Sequence, residues 1–463
     1  MPYFRPDKFV HHITDIDVKR DMLDRGLGHA LIDVDNTIFT RDTHEVPANV
    51  RLWISEAKRL GVSICLLSNN FHDSVLEVAK DLKLPIVSHA VKPLFPAFLV
   101  ALNKIGAKRK NTVMIGDQVI TDVLGAHGLG IKAYMVLPLV KKDLTHTLIL
   151  RNLEKLMLRG MKPEPTSNTE AAKDNCNLYL IGRGIAHSKS RVMYLAAFKA
   201  CGINWNYENA PLETAEAAID FLQNKKFVAL NATTPYKPEC LQAADEATPE
   251  ARAANGASAI IANPETGLSH AYNFDGEGAC IYLQKQGAEF TSRNVVIFGT
   301  GVTAMSIAYA CANRGAKSVV LVCRNVALAQ SSFENLQHAI GENLTQFNIK
   351  NLTCIEYSKS DEEVASANIV INATTLGMKG GDDFPMGTHV FNKNQFVLDC
   401  IYGHGQTDFI SKATKAKATC FDGRGMLAAQ GSLFFMELCK VHGIKIKYSR
   451  EEIYRIIYDC AFE

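Results

Sequence analysis

The run NATTPYK at 231–237 leaves an apolar stretch (KFVAL, 226–230) and delivers Lys237 from a loop that Pro235 stiffens, with Asn231 and Thr233 beside it. A lysine so placed can reach a substrate hydroxyl. Asp275, in NFDG, is the carboxylate that could work with it. In a carbonyl reduction the ammonium gives a proton to the developing alkoxide, while the carboxylate orients it and balances its charge. The bland alternative is a loop salt bridge. A hydride source is suggested downstream, where the apolar run NVVIFG (294–299) enters GTGVTA (299–304) and then a helical stretch. Gly299 and Gly301 let the backbone approach a pyrophosphate at a helix N-terminus, Ala304 takes the packing position, and Thr300, Val302 and Thr303 complete the turn. The next strand ends in Arg324 and Asn325, and arginine there suits a ribose 2′-phosphate, so NADP(H) is favoured over NAD.

A second constellation precedes this one. DVDNT (33–37) follows an apolar strand, so Asp33 and Asp35 sit just past its carboxyl end. Two carboxylates one residue apart can divide a phosphoryl transfer, one attacking phosphorus and one handling the proton, with a metal screening their repulsion. Ser68, Asn69, Lys92, Asp117 and Asp122 each follow a further predicted strand or segment, so all can converge at one sheet edge.

The elements that must position these groups are apolar strands alternating with helical stretches, the signature of α/β sheets. At 463 residues the chain is long enough for two to four domains. A seam of proline, polar and charged residues at 162–176 reads as a linker. It separates a domain at 1–161 from a second part that divides near 283, giving 177–282, 283–415 and a C-terminal segment 416–463. The formal charge of +2 gives no reason to expect a nucleic-acid partner. Twelve scattered cysteines without a C-x-x-C pair read as free thiols. The N-terminus lacks a signal peptide's apolar core, and the most lipid-like segment, 295–312, reads as strand, turn and helix rather than an integral membrane segment. A cytoplasmic protein is the expectation.

Over about residues 10–160, the DVDNT, LLSNN, Lys92 and GDQVITD pieces resemble the haloacid dehalogenase (HAD) phosphatases, specifically the YqeG-like class IIIA group. The resemblance implies Asp33 as nucleophile and Asp35 as general acid/base, with Ser68, Asn69 and Lys92 on the phosphate. It implies Mg²⁺ held by Asp33, Asp117 and the backbone carbonyl of Asp35, with Asp122 nearby. One helix between each pair of motifs leaves no room for a cap, so a bulky phosphorylated substrate or a partner-supplied lid is expected.

Over most of 177–445 the chain looks like the shikimate dehydrogenase family. IAHSKS (185–190) matches its substrate-anchoring segment and gives Ser188 and Ser190; NATTPYK gives Thr233 and catalytic Lys237; NFDG gives Asp275. INATTLGM (371–378) matches the stretch bordering the nicotinamide, with Thr374 and Met378, while Tyr402 and Gln430 stand at substrate-contacting positions. The chain departs from the family at Ala259, in place of a substrate-binding asparagine, and at Phe274, in place of a threonine. Arg191 and His404 each replace a proline.

The expected architecture is α/β: a capless HAD-like Rossmannoid domain, then a shikimate dehydrogenase-like substrate domain and a Rossmann NADP-binding domain. The expected function is a Mg²⁺-dependent phosphatase joined to an NADP-dependent dehydrogenase acting on a small-molecule ring hydroxy acid, with a homodimer compatible. Quinate- or aminoshikimate-type dehydrogenation and a non-catalytic ligand-sensing module are the alternatives.

Overall fold

Apolar runs become strands of three six-stranded sheets in a computed structural model describing residues 4–39, 46–70, 74–139, 161–164, 177–185, 188–224, 227–379 and 382–463. From residue 165 onward the expected linker lies outside the described residues, as does His187 of IAHSKS. The chain divides into two compact units, residues 1–177 with 263–268 and residues 178–262 with 269–463.

In the first unit, β1 (Lys8–Val10), β2 (His29–Asp33), β3 (Ser63–Leu67), β4 (Ile86–Val87), β5 (Thr112–Gly116) and β6 (Lys132–Val136) pair in the order β1-β6-β5-β2-β3-β4. Every pairing is parallel. Such a sheet is covered on both faces, so its strands read as continuous apolar runs. In β2, Ala30 and Ile32 pack into one core with Trp53 and Ile64, whereas Leu31 packs into another with Phe98 and Met114. The register Asp33↔Leu67 and Ile32↔Ile115 brings the carboxyl ends of β2, β3 and β5 to one edge. Among the described residues, one helix (Ala48–Arg59) joins β2 to β3 and one (Ser74–Asp81) joins β3 to β4.

The second unit carries two sheets. In the first, β7 (Asn177–Gly182), β8 (Asn206–Pro211), β9 (Ala229–Ala232), β10 (Glu246–Ala247), β11 (Ala259–Ala262) and β12 (Ser269–Tyr272) take the order β10-β12-β11-β9-β7-β8. It is mixed, because β11 runs antiparallel to both β9 and β12. In the other, β13 (Asn294–Phe298), β14 (Ser318–Cys323), β15 (Leu352–Glu356), β16 (Ile369–Asn372), β17 (Phe396–Asp399) and β18 (Thr419–Phe421) are all parallel, in the order β15-β14-β13-β16-β17-β18. Counted from β13 this is the doubly wound order of dinucleotide-binding sheets. The order reverses between β13 and β16, which places the turn after β13 at the crevice where such sheets bind ligands.

C-terminal helices complete this unit. Gly423–Val441 packs on the helix Asp275–Lys285, and Arg450–Phe462 packs on Ser190–Cys201. The architecture is α/β and multidomain with Rossmann-like sheets. No helix among the described residues is long and apolar enough to cross a membrane. The described cysteines are all free.

Candidate functional sites

Asp33 is the last residue of β2, and the chain reverses immediately after it. Asn36 takes a left-handed φ of 61°, which asparagine tolerates better than most residues. Thr37 Oγ1 donates to Asp33 Oδ2 at 3.2 Å, fixing that carboxylate with its other oxygen toward Lys92. Lys92 Nζ donates to Asp33 Oδ1 at 2.5 Å and to Asp122 Oδ1 at 2.7 Å, so one ammonium bridges two buried carboxylates. Asn69 clamps the lysine's backbone, accepting from Lys92 N–H at 2.7 Å and donating to Lys92 C=O at 3.3 Å.

Asp35 turns away from that bridge. Its Oδ2 accepts from Ser68 Oγ at 3.1 Å and its Oδ1 from Asn70 Nδ2 at 3.0 Å. Asn70 was not singled out from the sequence; the only hint was its place beside Asn69 at the strand end.

Carboxylate oxygens of Asp33, Asp117 and Asp122 all lie within 4.8 Å of one another, and all three residues are buried. An oxygen-only donor set with three carboxylates for one ammonium fits a hard divalent cation such as Mg²⁺. Asp122, expected nearby, supplies the third carboxylate of this cluster. Burial raises the Asp33 pKa, with Lys92 opposing and Asp122 and Asp35 adding to the rise. Burial alone would lower Lys92, but Asp122 and Asp33 outweigh it and hold the ammonium charged.

In the second unit, Lys237 opens the helix Lys237–Ala243, with a proline in its first turn. Its Nζ donates to Asp275 Oδ2 and, at 3.2 Å, to Thr303 Oγ1. Asp275 is buried at the start of the helix Asp275–Lys285. The turn before it is stiffened by Asn273, whose Nδ2 donates to Gly256 C=O at 2.7 Å and whose Oδ1 accepts from Asp275 N–H at 3.1 Å. Ser258 Oγ accepts from Phe274 N–H at 2.9 Å.

The glycine turn stands directly against this pair. Gly299 has a φ of 113°, and a Cβ there would lie 3.0 Å from Ala373 C=O. At Gly301, which caps the twelve-residue helix Val302–Asn313, a Cβ would meet nothing within 4 Å, and no side chain occupies the first N–H groups. That open, uncapped N-terminus fits a pyrophosphate. Ala304 is buried in the core beneath it, while Thr300 and Val302 are half-buried.

The remaining candidates fall around these two features. Ser188 Oγ donates to Ser190 Oγ at 3.2 Å at the start of the helix Ser190–Cys201. Thr233 presses its methyl against Gly182, where a Cβ would lie 2.4 Å away. Tyr402 is half-buried edge-on to Phe462 at 6.0 Å, and Gln430 packs where its helix meets Gly278. Thr374 bonds back to its own turn, with N–H and Oγ1 donating to Asn372 Oδ1 at 3.0 and 2.7 Å. Arg324 and Met378 are exposed. Asn325 Oδ1 accepts from Leu328 N–H at 3.2 Å, capping the helix Val326–Asn343, a structural task not assigned from sequence. Ala259 is fully buried, and Phe274 stacks on Tyr272 at 5.4 Å with Phe434 edge-on at 6.3 Å.

A lysine–carboxylate pair against an open glycine turn, at the switch point of a doubly wound sheet, defines an oxidoreductase built from a substrate lobe and a nucleotide lobe. Comparison with known proteins gives that class a family. A family model described as the shikimate dehydrogenase substrate binding domain matches residues 180–260. The chain is 30% identical over 264 residues to shikimate dehydrogenase (NADP(+)) of Methanocaldococcus jannaschii, covering 55% of this chain and 88% of that protein. It is 32% identical over 255 residues to its counterpart in Caulobacter vibrioides, covering 54% and 84%. Through this part, the chain belongs to the shikimate dehydrogenase family.

Solved structures agree on the fold. A shikimate dehydrogenase crystallised with NADP⁺ aligns with a TM-score of 0.53 at 24% identity, covering 62% of this chain and 96% of the other. The quinate dehydrogenase of Corynebacterium glutamicum aligns with 0.52 at 21%, covering 62% and 99%. In the first unit, a HAD-hydrolase-like family model matches residues 90–146. A HAD-like region is therefore fused to a shikimate dehydrogenase-like one.

Proposed function

We propose that the chain is a two-headed enzyme: a capless, YqeG-like (class IIIA) HAD phosphomonoesterase that uses Mg²⁺, joined to an NADP-dependent oxidoreductase of ring hydroxy acids. The second head's reaction is 3-dehydroshikimate + NADPH + H⁺ to shikimate + NADP⁺, or the same chemistry on a related ring acid. The observation carrying it is the Lys237–Asp275 pair set against the turn at 299–301.

NADPH, when bound, supplies the hydride. Lys237 then gives its proton to the oxygen that gains negative charge, and Asp275 keeps the ammonium oriented and offsets its charge. Arg324, exposed at the end of β14, faces a 2′-phosphate in this reading. Ser188, Ser190, Thr233, Tyr402 and Gln430 are proposed to line the ring. Ala259 and Phe274 offer an apolar wall where the family has polar groups, so quinate and aminoshikimate belong in the substrate panel.

In the first head, Asp33 attacks phosphorus and takes the phosphoryl group as an acyl phosphate while the substrate's P–O bond breaks; Asp35 protonates the leaving oxygen and then deprotonates the water that releases phosphate and restores the Asp33 carboxylate. Mg²⁺, held by Asp33, Asp117 and Asp122, would neutralise phosphate charge. Ser68, Asn69 and Lys92 are proposed to steady the phosphate oxygens.

The deciding assay is purified protein with NADP⁺ and a panel of shikimate, quinate and related acids, beside Lys237→Ala. Reduction of NADP⁺ that Lys237→Ala abolishes is expected. Ring-acid binding without turnover would instead favour the sensing module. For the first head, Asp33→Asn should end Mg²⁺-dependent hydrolysis of a generic phosphate ester.

A further inference from the structure

We infer that Thr303 is a positioning residue for the Lys237–Asp275 pair, tying the helix of the nucleotide turn to the proton-transfer groups; the inference rests on the oxidoreductase reading above. Thr303 lies in the first turn of the helix Val302–Asn313, two residues past Gly301. Its hydroxyl has one proton, and that proton goes to Asp275 Oδ2 at 2.9 Å. Its lone pair accepts from Lys237 Nζ at 3.2 Å. Together with the Lys237–Asp275 bond, these contacts close a three-membered ring of side chains.

The next turn of the helix repeats the device. Ser306 shares the face of Thr303, three residues on. Its Oγ donates to Asn273 Oδ1 and accepts from Gly276 N–H, both at 2.9 Å. Two hydroxyls one turn apart thus grip both sides of the 273–276 turn. The approach is close enough that a Cβ on Gly276 would lie 2.0 Å from Ser306 C=O.

A threonine beside a glycine turn could instead serve the cofactor's phosphates. Here its only proton is committed to Asp275, and its oxygen already accepts from Lys237. The hydroxyl therefore acts on the pair rather than on the phosphates. Lys237 and Asp275 come from the substrate lobe and its exit helix, whereas Thr303 belongs to the nucleotide lobe. Without Thr303 the lysine keeps one anchor and is free to swing about it.

The test uses the full chain as wild type, Thr303→Val and Thr303→Ser. Removing a hydrogen bond to charged groups predicts a kcat for NADP⁺-linked ring-acid oxidation about 10- to 100-fold lower in Thr303→Val. NADPH affinity, read by fluorescence titration, should stay within about threefold. The solvent deuterium isotope effect should grow, because a loosened lysine makes proton transfer limiting, and Thr303→Ser should restore the rate. Wild-type kcat in Thr303→Val overturns the inference, as does a loss of NADPH affinity that matches the loss of rate. A second measurement does not depend on turnover. In a double-mutant cycle of urea unfolding midpoints, Thr303→Val and Lys237→Met should be non-additive, and strict additivity refutes the contact. Should wild type oxidise no ring acid, the oxidoreductase reading fails while the cycle still decides the role of Thr303.

Discussion

Lys92 bridges two carboxylates of a buried cluster, which makes Lys92→Met a demanding test of the first unit. In the structure Lys92 Nζ satisfies Asp33 and Asp122 at once, with Asp117 completing the cluster. Replacing it with methionine keeps the stem's volume but leaves two carboxylates without their cation. Breaking a buried ion pair from one side typically costs roughly 3–5 kcal/mol, because the remaining charge is stranded. Sharing one lysine between two partners puts the expectation at the upper end of that range. The loss should be specific to metal-free protein. A divalent cation at about 100 times its dissociation constant stabilises by roughly 2.7 kcal/mol, and a cluster stripped of its lysine binds the cation more tightly still. Urea unfolding followed at Trp53, which is buried in this unit, reads both numbers, once with chelator and once with excess Mg²⁺. The variant should lose several kcal/mol in chelator and recover most of it in Mg²⁺. A variant within about 1 kcal/mol of wild type in chelator would show that Lys92 compensates no stranded charge. A loss that Mg²⁺ does not reduce would show that the carboxylates do not form a cation site.

Gly276→Ala should lower the Tm of the second unit sharply and weaken activity with it, since its Cβ would meet the Ser306 carbonyl oxygen at 2.0 Å and backbone cannot yield as a side chain can; an unchanged Tm in calorimetry refutes the close approach. Arg324→Ala should cut the preference for NADPH over NADH roughly 10- to 100-fold with little change in turnover at saturation, and an unchanged ratio of kcat/KM values removes Arg324 from cofactor selection. Burial pushes the Asp399 carboxyl up from 3.8 to about 6, against hydrogen bonds from Thr407, Ile401 and Asn372. A raised carboxyl favours the protonated fold, so its contribution is fully present below about pH 4 and is lost as pH rises through about 6, a swing of roughly 3 kcal/mol. Asp399→Asn should flatten that part of the pH–stability curve measured by urea unfolding; an identical slope in variant and wild type would falsify the assignment.

Much of both sites was legible because their chemistry sits at strand ends, and strand ends are readable. HALID, SICLL and TVMIG announce themselves by unbroken apolar runs, and the parallel register then carries Asp33, Ser68 and Asp117 to one edge. GTGVTA was legible for the same reason: a strand before it and a helix after it fix what a glycine turn can do. The unread residues share the opposite property. Asn70 reaches Asp35 across 35 positions and Thr303 reaches Asp275 across 28, so neither contact leaves a local pattern. The capping role of Asn325 stayed unread because an asparagine before a helix has two readings, ligand and cap, and only geometry shows its Oδ1 on Leu328 N–H. The same logic bears on Thr303. From sequence it was one more residue of a phosphate turn, interchangeable with its neighbours. Its direction is set by tertiary packing, through the glycine at 276 that lets two helices close on each other until the hydroxyls of Thr303 and Ser306 reach the turn at 273–276. A small residue on one helix thus determines what a polar residue on another can touch, and that dependence is invisible until both are placed.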